Sequence, residues 1–191
     1  QVESDEPQVT ANERFEVRFP ERRPFFLENS DYFGETDSIL LFTRRIVDPE
    51  VGLRLTGKLG DWGIGTMAMN DEAPGEALSA GDPLAGSSTD INIFRLFREL
   101  SDQNRVGVFY SNREFGNTEN RVFNVDGIFR LTDNWTTQMQ FIDTNAKDSV
   151  GANSDGRQSN IKFDRQGRSL RIHIHQIDTT EDFQVDLGFQ N

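Results

Sequence analysis

From about residue 38 onward, apolar and polar residues alternate with a period of two over most of the chain. Val51, Leu53 and Leu55 alternate with Gly52, Arg54 and Thr56. Val106, Val108 and Tyr110 alternate with Gly107, Phe109 and Ser111. Phe123, Val125, Phe129 and Leu131 share a face opposite Asn124, Asp126 and Arg130. Trp135, Met139 and Phe141 stand against Thr136, Gln138 and Gln140, and Leu170, Ile172 and Ile174 against Arg171, His173 and His175. Phe183, Val185, Leu187 and Phe189 continue the pattern. Successive side chains of a strand point to opposite faces, so each segment predicts a strand with one apolar and one polar face. The sum is an all-β antiparallel up-and-down meander of about nine or ten strands. Ile91 and Ile93 fall out of phase with Phe94 and Leu96, which predicts a bulge or a stretch buried on both faces.

Gly60-Asp61, Ser101–Asn104, Thr132–Asn134 and Asp164–Arg168 read as short turns. Longer links are expected at about 71–88, 113–119, 145–157 and 178–182. Short and long connections alternate, as they do in outer-membrane barrels. The link 71–88 holds Asp71, Glu72, Glu76 and Asp82 without any Lys or Arg, and reads as a mobile external loop. Residues 1–37 are charged and broken by Pro20 and Pro24, which forbid a regular helix. They read as an extended lead-in able to tuck into a lumen, and 38–191 as a partial barrel.

Composition narrows the class. Only 35% of residues are hydrophobic, and Phe dominates them with 16 copies. No apolar run approaches the roughly 20 residues of a membrane-spanning helix, whereas a β-barrel needs apolar residues only at alternate positions. The net charge of −12, from 32 acidic and 20 basic residues, argues against a nucleic-acid partner. Without cysteine there are no disulfides or thiolate metal sites. The opening at Gln1, with neither Met nor an apolar leader, reads as a removed signal peptide or an internal start.

The polar positions include Arg54, Lys58, Asp126, Arg130, Lys162, Arg171, His173, His175 and Asp186. Inward-facing charges are tolerable in a wet lumen or a paired network. Trp62 and Trp135 stand beside short turns, where a barrel places interfacial rings and a soluble sheet places core caps.

The run Arg18-Phe19-Pro20-Glu21-Arg22-Arg23-Pro24-Phe25-Phe26-Leu27-Glu28-Asn29 is followed by Leu41-Phe42-Thr43-Arg44-Arg45-Ile46 and by Leu55-Thr56-Gly57-Lys58-Leu59-Gly60. In this order, over roughly residues 1–65, they resemble the bacterial family of domain of unknown function 5916. The resemblance implies an outer-membrane β-barrel that follows a family-9-type carbohydrate-binding module. It implies that this chain starts after that module and stops inside the barrel. Outer-membrane lipid is then the expected partner, with carbohydrate bound through the upstream module. The family supplies no catalytic residues to carry over. The pairs Arg22-Arg23 and Arg44-Arg45 fall within this stretch and are expected to anchor the lead-in against acidic groups of the barrel.

Candidate chemistry is sparse. His173 and His175, two apart on a strand, share a face, and Asp186 is a conceivable third metal ligand. Membership of the lumen-facing polar row is the favoured reading of all three. Asp143, Asn145, Asp148, Asn153 and Asp155 offer oxygens for Ca²⁺ but lack EF-hand spacing. With 32 acids, paired carboxylates for glycoside hydrolysis arise by chance. No phosphate-cradling loop, Cys nucleophile or Gly-x-Ser-x-Gly elbow is present. No catalytic residue and no cofactor is expected. The leading reading is a pore, transport conduit or surface platform linked to carbohydrate uptake. The alternatives are a soluble β-sheet carbohydrate-binding module and part of a carbohydrate-active hydrolase.

Overall fold

Residues 20–34 and 37–189 are described by the computed structural model. Most of the expected lead-in, residues 1–19, lies outside them, as do residues 35 and 36. Eight strands follow one another in a single antiparallel sheet: β1 (Pro49–Leu59), β2 (Trp62–Asp71), β3 (Thr89–Ser101), β4 (Asn104–Phe115), β5 (Thr118–Thr132), β6 (Trp135–Lys147), β7 (Asn153–Gln166) and β8 (Arg171–Thr179). Each pairs with the next, and β1 and β8 form the two open edges.

One face of the sheet is covered by two inner segments. The first is the lead-in from Pro20 to Asp48, which carries a short helix (Pro24–Leu27) and two 3₁₀ turns (Ser30–Phe33 and Thr43–Arg45). The second is the tail from Thr180 to Phe189. They meet each other through Phe42 N–H donating to the Leu187 carbonyl (2.7 Å) and Phe189 N–H donating to that of Ile39 (3.0 Å). Phe26, Phe33, Leu40, Ile46, Val185 and Leu187 bury against Met67, Met69, Ile91, Ile93, Phe109, Val122 and Ile142. A fully buried side chain of this size contributes about 1.5–3 kcal/mol, so this contact fixes the inner segments to the sheet.

The strand count is eight among the described residues, below the nine or ten expected, because two alternating stretches do not join the sheet. Residues 38–48 belong to the covering lead-in, and the sheet begins at Pro49. The 183–189 stretch turns inward at Thr180–Asp182, and its Val185 and Leu187 bury in the core. Gly156 on β7 permits this crossing, since a Cβ there would lie 2.3 Å from the Phe183 Cα.

β3 runs unbroken from Thr89 to Glu99 in register with both neighbours, so residues 90–98 contain no bulge. Ile91 and Ile93 lie on the covered face and Phe94 and Leu96 on the bare one. The expected link at 113–119 is a tight turn at Gly116-Asn117, with Gly116 at φ +57°. The turn suits a two-residue hairpin, so β4 and β5 extend through most of that stretch. Likewise β6 and β7 narrow the 145–157 link to residues 148–152. The 71–88 link is folded, with a helical turn at Ala73–Glu76 and Gly86 N–H donating to the Gly75 carbonyl (3.1 Å).

On the covered face Arg95 and Asp126 form a fully buried ion pair, the Nη2–Oδ2 bond measuring 2.8 Å. Arg95 stands on β3 and Asp126 on β5, so the guanidinium must cross β4. It crosses at Gly107, where a Cβ would lie 2.7 Å from Nη2. Asn124 Nδ2 adds a further bond to Asp126 (3.0 Å). Leaving one buried charge unpaired costs about 3–5 kcal/mol, whereas replacing both partners by apolar groups is often neutral. Asp126→Ala is therefore expected to lose about that much stability in urea unfolding followed by tryptophan fluorescence. The double change Arg95→Met, Asp126→Leu is expected to recover most of the loss. A single variant as stable as the parent would show that the pair is not desolvated.

Candidate functional site

The covered face carries the polar row. Arg54 on β1 reaches the lead-in, where it bonds the Phe25 and Glu28 carbonyls and pairs with the Glu28 carboxylate at 2.9 Å. Asn29 Nδ2 donates to Thr56 (3.2 Å). At the other side of the sheet Asp37 accepts from Lys162 and Asn160. Ser38 N–H donates to Gln140 Oε1 (2.7 Å), and the Ser38 hydroxyl to Gln158 Oε1 (2.7 Å). The lead-in is thus pinned at both flanks by polar contacts and in the middle by the core.

Arg23, Arg44 and Arg45 each bond groups of the two covering segments. Arg23 is buried and pairs with Glu21 of its own segment (2.8 Å), while donating to the carbonyls of Ile46 (2.6 Å) and Thr43 (2.9 Å). Its guanidinium also lies 4.3 Å from the Phe26 ring centre. Arg44 donates to the Pro20 carbonyl and Arg45 to that of Gly188. These contacts tie the inner segments to themselves and to each other. Arg54 and Lys162, which the sequence placed in the polar row without a partner, hold the lead-in from the sheet.

His173 bonds Asp164 (2.6 Å), and His175 bonds Asn160 (2.7 Å) with Asp37 3.6 Å away. Asp186 sits elsewhere, 3.5 Å from Arg113 and accepting from Gln184 Nε2 (2.7 Å). The expected next strand that would have brought Asp186 beside the histidines is the inturned tail, so the three are not gathered into one ligand set. Four of the five Ca²⁺ candidates already hold protein partners. Asp143 pairs with Arg157 (2.8 Å), Asn145 with Asp155 (2.7 Å), and Asp148 accepts from the N–H groups of Val150 and Ala152.

The one carboxylate group of metal-ligating spacing among the described residues is Asp48, Glu72 and Glu76, whose oxygens lie within 4.8 Å of one another. Repulsion from Glu50, reinforced by burial and by Glu76 and Asp48, raises the Glu72 carboxyl above the usual range. The sequence marked the acid-rich link but not Asp48, which arrives from before β1.

Among the described residues no segment covers the opposite face of the sheet, which is left bare. Leu53 is 74% exposed, Leu55 63%, Phe123 47% and Phe141 47%. These residues form a band that crosses the strands obliquely. The hydrogen-bonded row from Val51 runs through Asn70, Asp90, Glu114, Glu119, Lys147 and Asn153, apolar at β1 and polar thereafter. The uppermost apolar residue of the band is Val51 on β1, Ala68 on β2, Phe94, Tyr110 and Phe123 on β3 to β5, Phe141 on β6, Ile161 on β7 and Ile174 on β8. Ile174 pairs with Phe163, ten residues along β7 from Asn153. Ten residues make ~33 Å of strand and the seven gaps between eight strands ~34 Å of width, so the band edge lies ~45° from the rows. The two tryptophans mark a second, nearly parallel edge. The row of Trp62 reaches β6 at Met139, four residues from Trp135, which makes ~13 Å over ~19 Å, or ~35°. Arg98, opposite Trp62, lies 5.4 Å from its ring centre.

No protein-family model, no curated protein and no solved structure matches this chain.

Glu21 offers a pH test of the lead-in. Burial pushes its carboxyl up, but hydrogen bonds from Arg23 and Thr43 and the Arg23 charge outweigh it and hold the pKa at about 2. The ion pair therefore stabilises the fold above the ordinary glutamate range, and that contribution fades as pH falls from about 4.5 towards 2. Glu21→Gln is expected to be less stable at neutral pH and to lose this part of the acid-induced decline. Parallel stability–pH curves for parent and variant would show Glu21 to be solvated.

Proposed function

We propose that these eight strands are part of the wall of a bacterial outer-membrane β-barrel, serving as a conduit or surface platform for carbohydrate-related uptake. The bare face meets lipid, and the covered face lines an interior occupied here by the two inner segments. The oblique band carries this reading. A band that lies level in a bilayer tilts the strands by its own angle, and ~45° and ~35° match the ~35–45° tilt of transmembrane strands. Its width supports the same reading. Phe123 to Leu131 on β5 spans ~26 Å of strand, or ~20 Å along the membrane normal at that tilt, near the roughly 25 Å apolar belt of such barrels. Trp62, Trp135 and Arg98 then occupy the headgroup level, which suits amphipathic rings and a snorkelling guanidinium.

Two further constraints bear on the size of the wall. Unpaired backbone groups in hydrocarbon cost several kcal/mol each, so the open edges of β1 and β8 require further strands to close on them. An eight-stranded barrel has room inside only for side chains, whereas this sheet holds two stretches of backbone against its inner face. A wall closing round them has more than eight strands. The carbohydrate link rests on the resemblance of the lead-in and first hairpin.

The protein is expected to need detergent for extraction from an outer-membrane fraction and to run as a compact β-rich band that shifts on boiling. Val125→Arg, within the band on β5 and one outward position in from its upper edge, is expected to cost about 2 kcal/mol in a lipid or micelle environment. A protein that remains monomeric in plain buffer, with Val125→Arg neutral, would mean the bare face meets water and would remove the membrane reading.

A further inference from the structure

The bare face is not evenly divided about its apolar band. On β7 the positions facing outward above Ile161 are Asn153, Asp155, Arg157 and Ser159, a rise of ~26 Å of strand. At the tilt given by the band this stands ~20 Å above the band edge. On β1 the same row begins with apolar Val51, so the polar stretch has vanished there. At the opposite end only the short turns lie beyond Trp62 and Trp135.

We propose that the wall sits off-centre in its bilayer. The turn end stops at one headgroup layer, and the loop end stands clear of lipid as a polar collar, tallest at β6 and β7. The assignment rests on the membrane reading above and adds to it where each outward residue lies. The pairs inside the collar are of the kind that water tolerates and hydrocarbon does not. Arg157 and Asp143 face each other across β6 and β7 with their side chains 81% and 61% exposed, and Asn145 faces Asp155 beside them. Charges so placed in acyl chains would each cost several kcal/mol, but in water an exposed pair is close to neutral. Their bare-face neighbours on the strands are also polar, and the one large apolar side chain exposed above the band at β6 and β7 is Val150, in the turn at the collar's tip. The partner of the band is therefore acyl chain, and that of the collar is water.

The chain has no cysteine, so a single introduced thiol gives a unique label. Val125→Cys, Met139→Cys and Ile161→Cys sample the band, and Asn145→Cys and Arg157→Cys the collar. Each protein would be labelled with bimane and reconstituted in phosphatidylcholine vesicles with brominated acyl chains, after its heat-shifted band had shown it folded. The expected result is loss of fluorescence at the three band positions and none at the two collar positions, which also react with a water-soluble maleimide. Quenching at Asn145 and Arg157 equal to that at Val125 would overturn the off-centre placement and leave the barrel standing. Quenching at none of the five would overturn both.

Discussion

Leu40 and Ile46 of the lead-in and Val185 and Leu187 of the tail meet Ile91, Ile93, Phe109 and Val122 across one face of the sheet. A strand has only two faces, and here each has a different neighbour. Once the inner segments take one face, no segment among the described residues is left to bury the apolar residues of the other face. This is why β3 is apolar on both sides, with Ile91 and Ile93 inward and Phe94 and Leu96 outward. It is also why so much Leu, Val and Phe remains exposed in a chain of strongly negative charge.

The same contact explains which parts of the fold were legible in the sequence. Strands β1, β4, β5, β6 and β8 follow from alternation, β3 from its run of apolar residues on both faces, and the turns at Gly60-Asp61 and Asp133-Asn134 from their residue types, because all are local signals. The fate of residues 183–189 was not legible. Their alternation is real, but Val185 and Leu187 bury against the inner face without joining the ladder. The deciding feature is Gly156, far back in the sequence on β7, whose bare Cα lets the chain pass at Phe183. Likewise the acid-rich link 71–88 looked open because its Gly75–Gly86 contact is long-range within the loop. The candidate site was legible in its residue types and not in its pairings. His173 and His175 do share a face, but each already has a polar partner, and Asp186 is drawn off by Arg113 and Gln184.

Charge on the covered face is handled in two ways, according to depth. Near the flanks, Arg54, Lys162 and His175 hold the lead-in through its carbonyls and Asp37, so a group of the sheet and a group of the covering segment satisfy each other. Deeper in, Arg95 has no inner-segment partner among the described residues and turns sideways to Asp126. That route exists because Gly107 on the intervening strand leaves no side chain in the way. A buried pair of this kind adds little net stability compared with apolar packing, but it constrains register. Slipping β4 by one residue would put Val106 or Val108 where Gly107 stands, turn Gly107 to the other face and block the guanidinium.

Register is the property on which the oblique band depends as well. The band is a line drawn across seven ladders, and a slip of one residue in any of them moves that strand's apolar set to the opposite face. Its two edges lie at ~45° and ~35° to the rows, and independent slips would not leave them nearly parallel. Inner polar pairing and outer apolar continuity are thus fixed by the same alignment of strands. A soluble sheet needs the first to hold its covering segments in place. It has no reason to keep the second, because water does not ask an exposed face to be apolar along a line oblique to every strand it crosses. Lipid does, and that difference is the physical ground for reading the bare face as the outer surface of a membrane wall.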